Sequence, residues 1–140
     1  MIKIGILGAA GYTGHELVSI FARHAEAQVI FATSGSNAGQ KMSEIYPCPW
    51  DICLVDPADA ALADLFRRLT SRLPGEEESA ILRELFDRKL ARFQAAPATA
   101  KQYLTNGDAP LKETLELTRT AALAVVASTL MNYDETVIRR

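Results

Sequence analysis

The chain has 140 residues, 49% of them hydrophobic, and a formal net charge of −2. That suffices for one ordinary domain or two very small ones, and the near-neutral balance gives no electrostatic ground for binding nucleic acid. The longest uncharged apolar stretch, Ala121 to Met131, is about half the length a bilayer requires, and the start lacks a basic lead and cleavage site, so a cytoplasmic protein with no membrane partner is expected.

Ile2-Lys3-Ile4-Gly5-Ile6-Leu7 reads as a short buried strand, and Gly8-Ala9-Ala10-Gly11-Tyr12-Thr13-Gly14 follows directly. A helix is predicted from about Thr13 to His24, with Leu17, Ile20 and Phe21 on its apolar face, and Thr13 with Glu16 fits a capping box. A second apolar run, Gln28 to Thr33, closes the unit. Strand, glycine loop and helix in this order form the context of a dinucleotide-binding fingerprint. Gly8 would allow the tight turn, Gly11 would let bare backbone approach a pyrophosphate, and Gly14 would let the helix lie close to the sheet. The amino-terminal N–H groups of the helix would then face the phosphates. The bland alternative is a turn that uses glycine only for its backbone freedom.

Where an NAD-preferring enzyme places Asp or Glu after the second strand, this chain has Thr33-Ser34-Gly35-Ser36-Asn37-Ala38-Gly39-Gln40-Lys41. No carboxylate is there to repel a 2′-phosphate, and hydroxyls, Asn37 and Lys41 are at hand, which favours NADP; the alternative is a polar, glycine-rich surface loop without a ligand.

The stretch Gly5 to Leu17, with Ser36-Asn37-Ala38-Gly39 and Tyr46-Pro47 behind it, resembles the amino-terminus of N-acetyl-γ-glutamyl-phosphate reductase. The resemblance covers residues 1–47. It implies NADPH as cofactor, reduction of an acyl phosphate to N-acetylglutamate semialdehyde, and a place in arginine biosynthesis. It puts Gly8, Gly11, Tyr12, Thr13 and Gly14 in the pyrophosphate loop, and Ser34 and Ser36 near the adenosine ribose and its 2′-phosphate. The family commonly has arginine where this chain has Gly35, so a planar, permanently charged donor is missing.

A third strand is expected from Trp50 to Val55. Cys48 and Cys53 read as buried thiols; neither falls in a motif matching the reductase's nucleophile, and two cysteines alone make no zinc site. His15 and His24 read as exposed residues of the first helix region. No catalytic or metal-binding residue is assigned.

From residue 57 onward the pattern is helical. Leu62, Leu65, Phe66, Leu69 and Leu73 mark one helix, begun at Asp56 or Asp59 and ended by Pro74-Gly75. Glu76, Glu77 and Glu78 open a second, with Ile81, Leu82, Leu85, Phe86, Leu90 and Phe93 as its stripe. Pro97 interrupts, Thr99 to Leu104 is a short helix, Asn106-Gly107-Asp108 a turn, and Pro110 leads a last helix, Leu111 to Met131, expected to be the buried centre of a bundle.

The segments Leu65 to Pro74 and Ser128 to Glu135, with the alanine-rich middle, resemble the carboxy-terminal helical domain of a bacterial family of large secreted, cytochrome-associated proteins of unestablished function. Taken with the first resemblance, this implies a chimera joined between Pro47 and Pro57. The fold class expected is α/β: a Rossmann-like strand–helix–strand start with a small parallel sheet (residues 1–56), then a helical bundle (residues 57–140). Three functions fit these residues: an NADP-binding fragment of a semialdehyde-forming reductase without its catalytic domain; a helical interaction domain, binding a protein partner or itself, with a non-binding extension; or a chimeric chain without selected function.

Overall fold

The computed structural model describes residues 1–48, 51–106, 111 and 115–133. The chain divides into two compact units, Met1–Ala60 and Ala61–Arg140.

The first unit contains β1 (Ile2–Ile6), α1 (Tyr12–Ala22), β2 (Ala27–Thr33), the single-turn α2 (Met42–Ile45) and β3 (Leu54–Val55). The three strands form a parallel sheet in the order β1-β2-β3, the Rossmann-like arrangement expected. β-Branched and aromatic residues favour the pleat in β2, and a register irregularity falls between Ile4 and Gly5, where the ring of Phe31 sits over Gly5. Ile6, Val18, Val29, Ala32, Met42 and Leu54 make the core.

Four expectations for this unit are corrected. β1 is not a buried strand: it lies at the edge of the sheet, only Ile6 in it is buried, Ile2 is exposed, and Leu7 is exposed beyond its end. α1 turns Gly14 and Val18 inward, while Leu17 and Ile20 are 38% and 55% exposed. The side-chain-free Gly14 lets its own stripe approach the sheet most closely, which rotates Leu17 and Ile20 outward. The helix also starts at Tyr12 behind Gly11, so Thr13 already lies inside the first turn and caps nothing. Finally, β3 is two residues long, because Cys53 makes an antiparallel bridge to Lys41; Trp50 lies outside the described residues.

The second unit is helical: α3 (Pro57–Thr70), which begins just before it, then α4 (Glu76–Ala95), α5 (Pro97–Leu104) and α6 (Leu117–Met131). Its buried residues include Leu62 and Phe66 of α3, Leu82, Phe86 and Phe93 of α4, Ala100 of α5, and Ala121, Ala122, Val126 and Leu130 of α6. At the start of α3 the Asp56 carboxylate accepts the Ala58 N–H at 2.7 Å, as a helix cap does.

α3 stops at Thr70, before Pro74-Gly75, because Ser71 takes a left-handed conformation (φ 66°). Leu73 is therefore outside the helix and 66% exposed, and Gly75 instead precedes α4. Ile81 is likewise 65% exposed, off the buried stripe of α4. Pro97 separates α4 from α5 as expected, but α5 starts at Pro97 itself rather than at Thr99, since a first-turn residue needs no N–H partner. α6 begins at Leu117, where Glu116 accepts the Arg119 N–H at 3.0 Å, and buries one face only, with Ser128, Thr129 and Met131 exposed. Gly107, Asp108 and Pro110, expected to make the turn and lead this helix, lie outside the described residues.

Candidate functional site

β1 ends at Ile6 and the chain turns at Gly8, whose φ of +73° few residues but glycine adopt readily. The Gly8 N–H donates to the Thr33 hydroxyl at 3.1 Å, and the Ala9 N–H donates to the Thr33 carbonyl at 2.8 Å. Thr33, buried at the end of β2, thus holds the loop by side chain and backbone together. A further bond from Gly11 N–H to the Gly8 carbonyl (3.1 Å) closes the turn, and α1 starts behind it. At Gly14 a Cβ would lie 2.3 Å from the Gly8 oxygen and 2.6 Å from the Ala9 Cα, so no side chain fits between helix and loop.

The amino-terminus of α1 carries no side-chain cap. Among the described residues, the N–H groups of Tyr12, Thr13 and Gly14 have no hydrogen-bond partner. These donors and the positive end of the helix dipole make a cradle suited to a phosphate. The Tyr12 side chain is 89% exposed beside it. At Gly11 a Cβ would approach only the Gly8 oxygen, at 3.4 Å, so the fold does not require glycine there. That leaves its bare backbone as a feature a ligand would use.

The loop after β2 makes a compact polar turn. The Ser34 hydroxyl, buried, accepts the Asn37 N–H at 3.1 Å and lies 3.4 Å from the Asn37 side-chain oxygen; Ser36, exposed, donates to that same oxygen at 2.8 Å. The two serines therefore differ: Ser34 is committed to the turn, and Ser36 is at the surface. Lys41 pairs with Asp51 at 2.6 Å; a hydrogen bond and charge attraction raise the Lys41 pKa, and the Lys41 ammonium and the Ser43 hydroxyl lower that of Asp51.

Two residues missed by the sequence reading support the loop. Tyr46 donates its hydroxyl to the Ala10 carbonyl at 3.0 Å, and the His15 ring lies 4.4 Å from its ring, tilted by 36°. His15 is thus half-buried rather than exposed, and among the described residues its Nε2 has no hydrogen-bond partner. His24 does lie at the surface, accepting the Glu26 N–H through Nδ1 at 3.2 Å. No local signal links Tyr46 or Thr33 to the loop, because both bonds span long stretches of chain.

Cys53 is exposed and Cys48 half-buried, which corrects the expectation of two buried thiols. Among the described residues no group of three or more His, Cys, Asp or Glu side chains could share a metal ion, and no helix is long and apolar enough to cross a membrane.

Residues 3–111 match the sequence model of a family described as semialdehyde dehydrogenase, NAD binding domain. The match runs beyond the sheet unit through α3, α4 and α5. Among the relatives is N-acetyl-γ-glutamyl-phosphate reductase of Afipia carboxidovorans, 36% identical over 91 residues, covering 61% of this chain and 26% of the relative. The enzyme of the same name from Aromatoleum aromaticum is 45% identical over 65 residues, covering 44% and 19%. That of Moorella thermoacetica is 55% identical over 47 residues, covering 34% and 14%. The matched stretch spans about a quarter or less of the length of these relatives, and a counterpart of their catalytic domain is not evident in it.

Proposed function

The chain belongs to the semialdehyde dehydrogenase NAD-binding domain family, and from that premise we propose that it is the NADP-binding part of a protein resembling N-acetyl-γ-glutamyl-phosphate reductase. A nicotinamide dinucleotide is the ligand class of the family, and the residues around the glycine loop suit its phosphates. The observation that carries the reading is the uncapped start of α1, with three N–H groups that have no partner among the described residues, beside a loop where glycine leaves the backbone bare. Gly8, Gly11, Tyr12, Thr13 and Gly14 hold the pyrophosphate. Ser36 meets the 2′-phosphate, and Ser34 holds the turn that presents it. The absence of a carboxylate between Thr33 and Lys41 supports NADP over NAD.

When bound, the dinucleotide supplies a hydride. This chain's own residues bind and orient its phosphate half, and the substrate-side groups of acyl-phosphate reduction are left to a catalytic domain not evident here. Affinity is accordingly weak, nearer millimolar than micromolar, or about −4 to −6 kcal/mol. Titration of the chain with NADPH, followed by calorimetry or fluorescence, tests this; lack of saturation at several millimolar overturns it.

For residues 57–140 we propose a separate helical domain with the origin its sequence resembles, the helical domain of secreted cytochrome-associated proteins, and with a role in self-association or in holding a protein partner. Limited proteolysis of the full chain should release a resistant helical fragment. Protection of the junction, with no such fragment released, would argue instead for one continuous dinucleotide-binding domain, as the extent of the family match suggests.

A further inference from the structure

Within the helical unit, α4, α5 and α6 pack on one another. Near the end of α4 they surround a depression of about 390 Å³, within the size range of sites for small organic molecules. Phe93 and Tyr103 contribute its aromatic wall, their ring centroids 5.9 Å apart and their planes inclined by 46°. Lys89 and Arg92 also line it, and among the described residues no carboxylate does. Among the described residues neither cation has an ion-pair partner, and the Gln102 side-chain amide, at the same depression, makes no hydrogen bond.

We propose that this depression binds a small aromatic anion, an aryl phosphate or aryl carboxylate. Cations at the end of α4 would complement the helix dipole in any case, but that role explains neither the concavity nor the aromatic wall. A ligand ring fits against Phe93 and Tyr103 in the offset or tilted contacts aromatic groups prefer. Its charged group meets the planar donors of Arg92 and the ammonium of Lys89, charge-assisted bonds stronger than neutral ones. Gln102 adds a neutral donor and acceptor. The site is independent of the dinucleotide reading, since every residue in it belongs to the second unit.

Residue-resolved NMR titration of the full chain with phenyl phosphate and with benzoate tests the proposal. Saturable shifts should cluster in α4 and α5, and the better of the two probes should bind about fivefold or more tighter than inorganic phosphate or benzyl alcohol, roughly 1 kcal/mol. Changing Lys89→Gln and Arg92→Gln together should weaken binding about tenfold or more with an unchanged thermal transition, since neither side chain belongs to the buried core. Tyr103→Leu should weaken the aromatic probes and leave inorganic phosphate unaffected. Equal affinity for inorganic phosphate, shifts confined to residues 8–14, or full binding by the double variant would each overturn it.

Discussion

The hydroxyl of Tyr46 donates to the carbonyl of Ala10 at 3.0 Å, across 36 residues of sequence. The bond fastens the segment after α2 to the glycine loop, and the His15 ring packed on Tyr46 keeps that side chain in place. Replacing Tyr46 by Phe removes only the donor. Stability of the first unit should fall by about 1 kcal/mol, measured by urea unfolding. NADPH affinity should fall about threefold, because a looser loop must be ordered on binding. Unchanged values for both would mean that the bond does not constrain the loop.

Gly11 and Gly14 should separate binding from folding. At Gly14 the obstructing atoms are backbone, 2.3 and 2.6 Å from an added Cβ. Gly14→Ala should therefore cost about 1–3 kcal/mol, the usual range for an overpacked site. Gly11→Val, in contrast, meets nothing nearer than 3.4 Å from its Cβ and sits on extended backbone. It should fold like the parent and lose NADPH binding. Thermal melts with parallel NADPH titrations distinguish the two, and unchanged binding by Gly11→Val would remove the loop as the site.

Gly35 faces open space, with nothing within 4 Å of an added Cβ. Gly35→Arg should restore the donor that the reductase family commonly carries at this position. Because guanidinium pairs well with phosphate oxygens, affinity for NADPH should rise about tenfold while that for NADH stays within about twofold, a gain of roughly 1.4 kcal/mol. Equal gains for both cofactors would indicate general charge attraction rather than contact with the 2′-phosphate.

Glu78 gives a defined acid response. Its carboxylate receives two bonds from Arg72, at 2.7 and 2.8 Å, then the Gly75 N–H and the Tyr133 hydroxyl, and its pKa is lowered from 4.5 to about 2. The stabilisation is complete above pH 4.5, where the group is ionised folded or unfolded, and is lost as pH falls from there toward 2. The pair is partly exposed, so its size should be about 0.2–1 kcal/mol. Glu78→Gln should flatten that part of the pH dependence of unfolding by urea; a parallel curve at lower stability would show that the carboxylate is not responsible.

Acyl-phosphate reduction requires a nucleophile, a proton donor and a hydride donor around one carbon. Cys48 and Cys53 fall in no catalytic motif, and His15 is packed against Tyr46. The chain alone should show no phosphate-dependent oxidation of N-acetylglutamate semialdehyde, followed as NADPH formed with time. Turnover that disappears on Cys48→Ser or Cys53→Ser would reverse that expectation.

The sequence by itself determined the strand–glycine loop–helix–strand order and the parallel sheet, because those features depend on local requirements. A positive φ at Gly8 and a vanishing side chain at Gly14 are properties of single residues, and β2 is legible from its run of strand formers. Glu76 to Glu78 similarly mark the start of α4. Only the tertiary structure decided which face of α1 is buried, since that depends on what packs opposite: Gly14 and Val18 turn inward and leave Leu17 and Ile20 to solvent. It also decided the loop's supports. Thr33 reaches Gly8 across 25 residues and Tyr46 reaches Ala10 across 36, and no short window of sequence records a contact made at that separation.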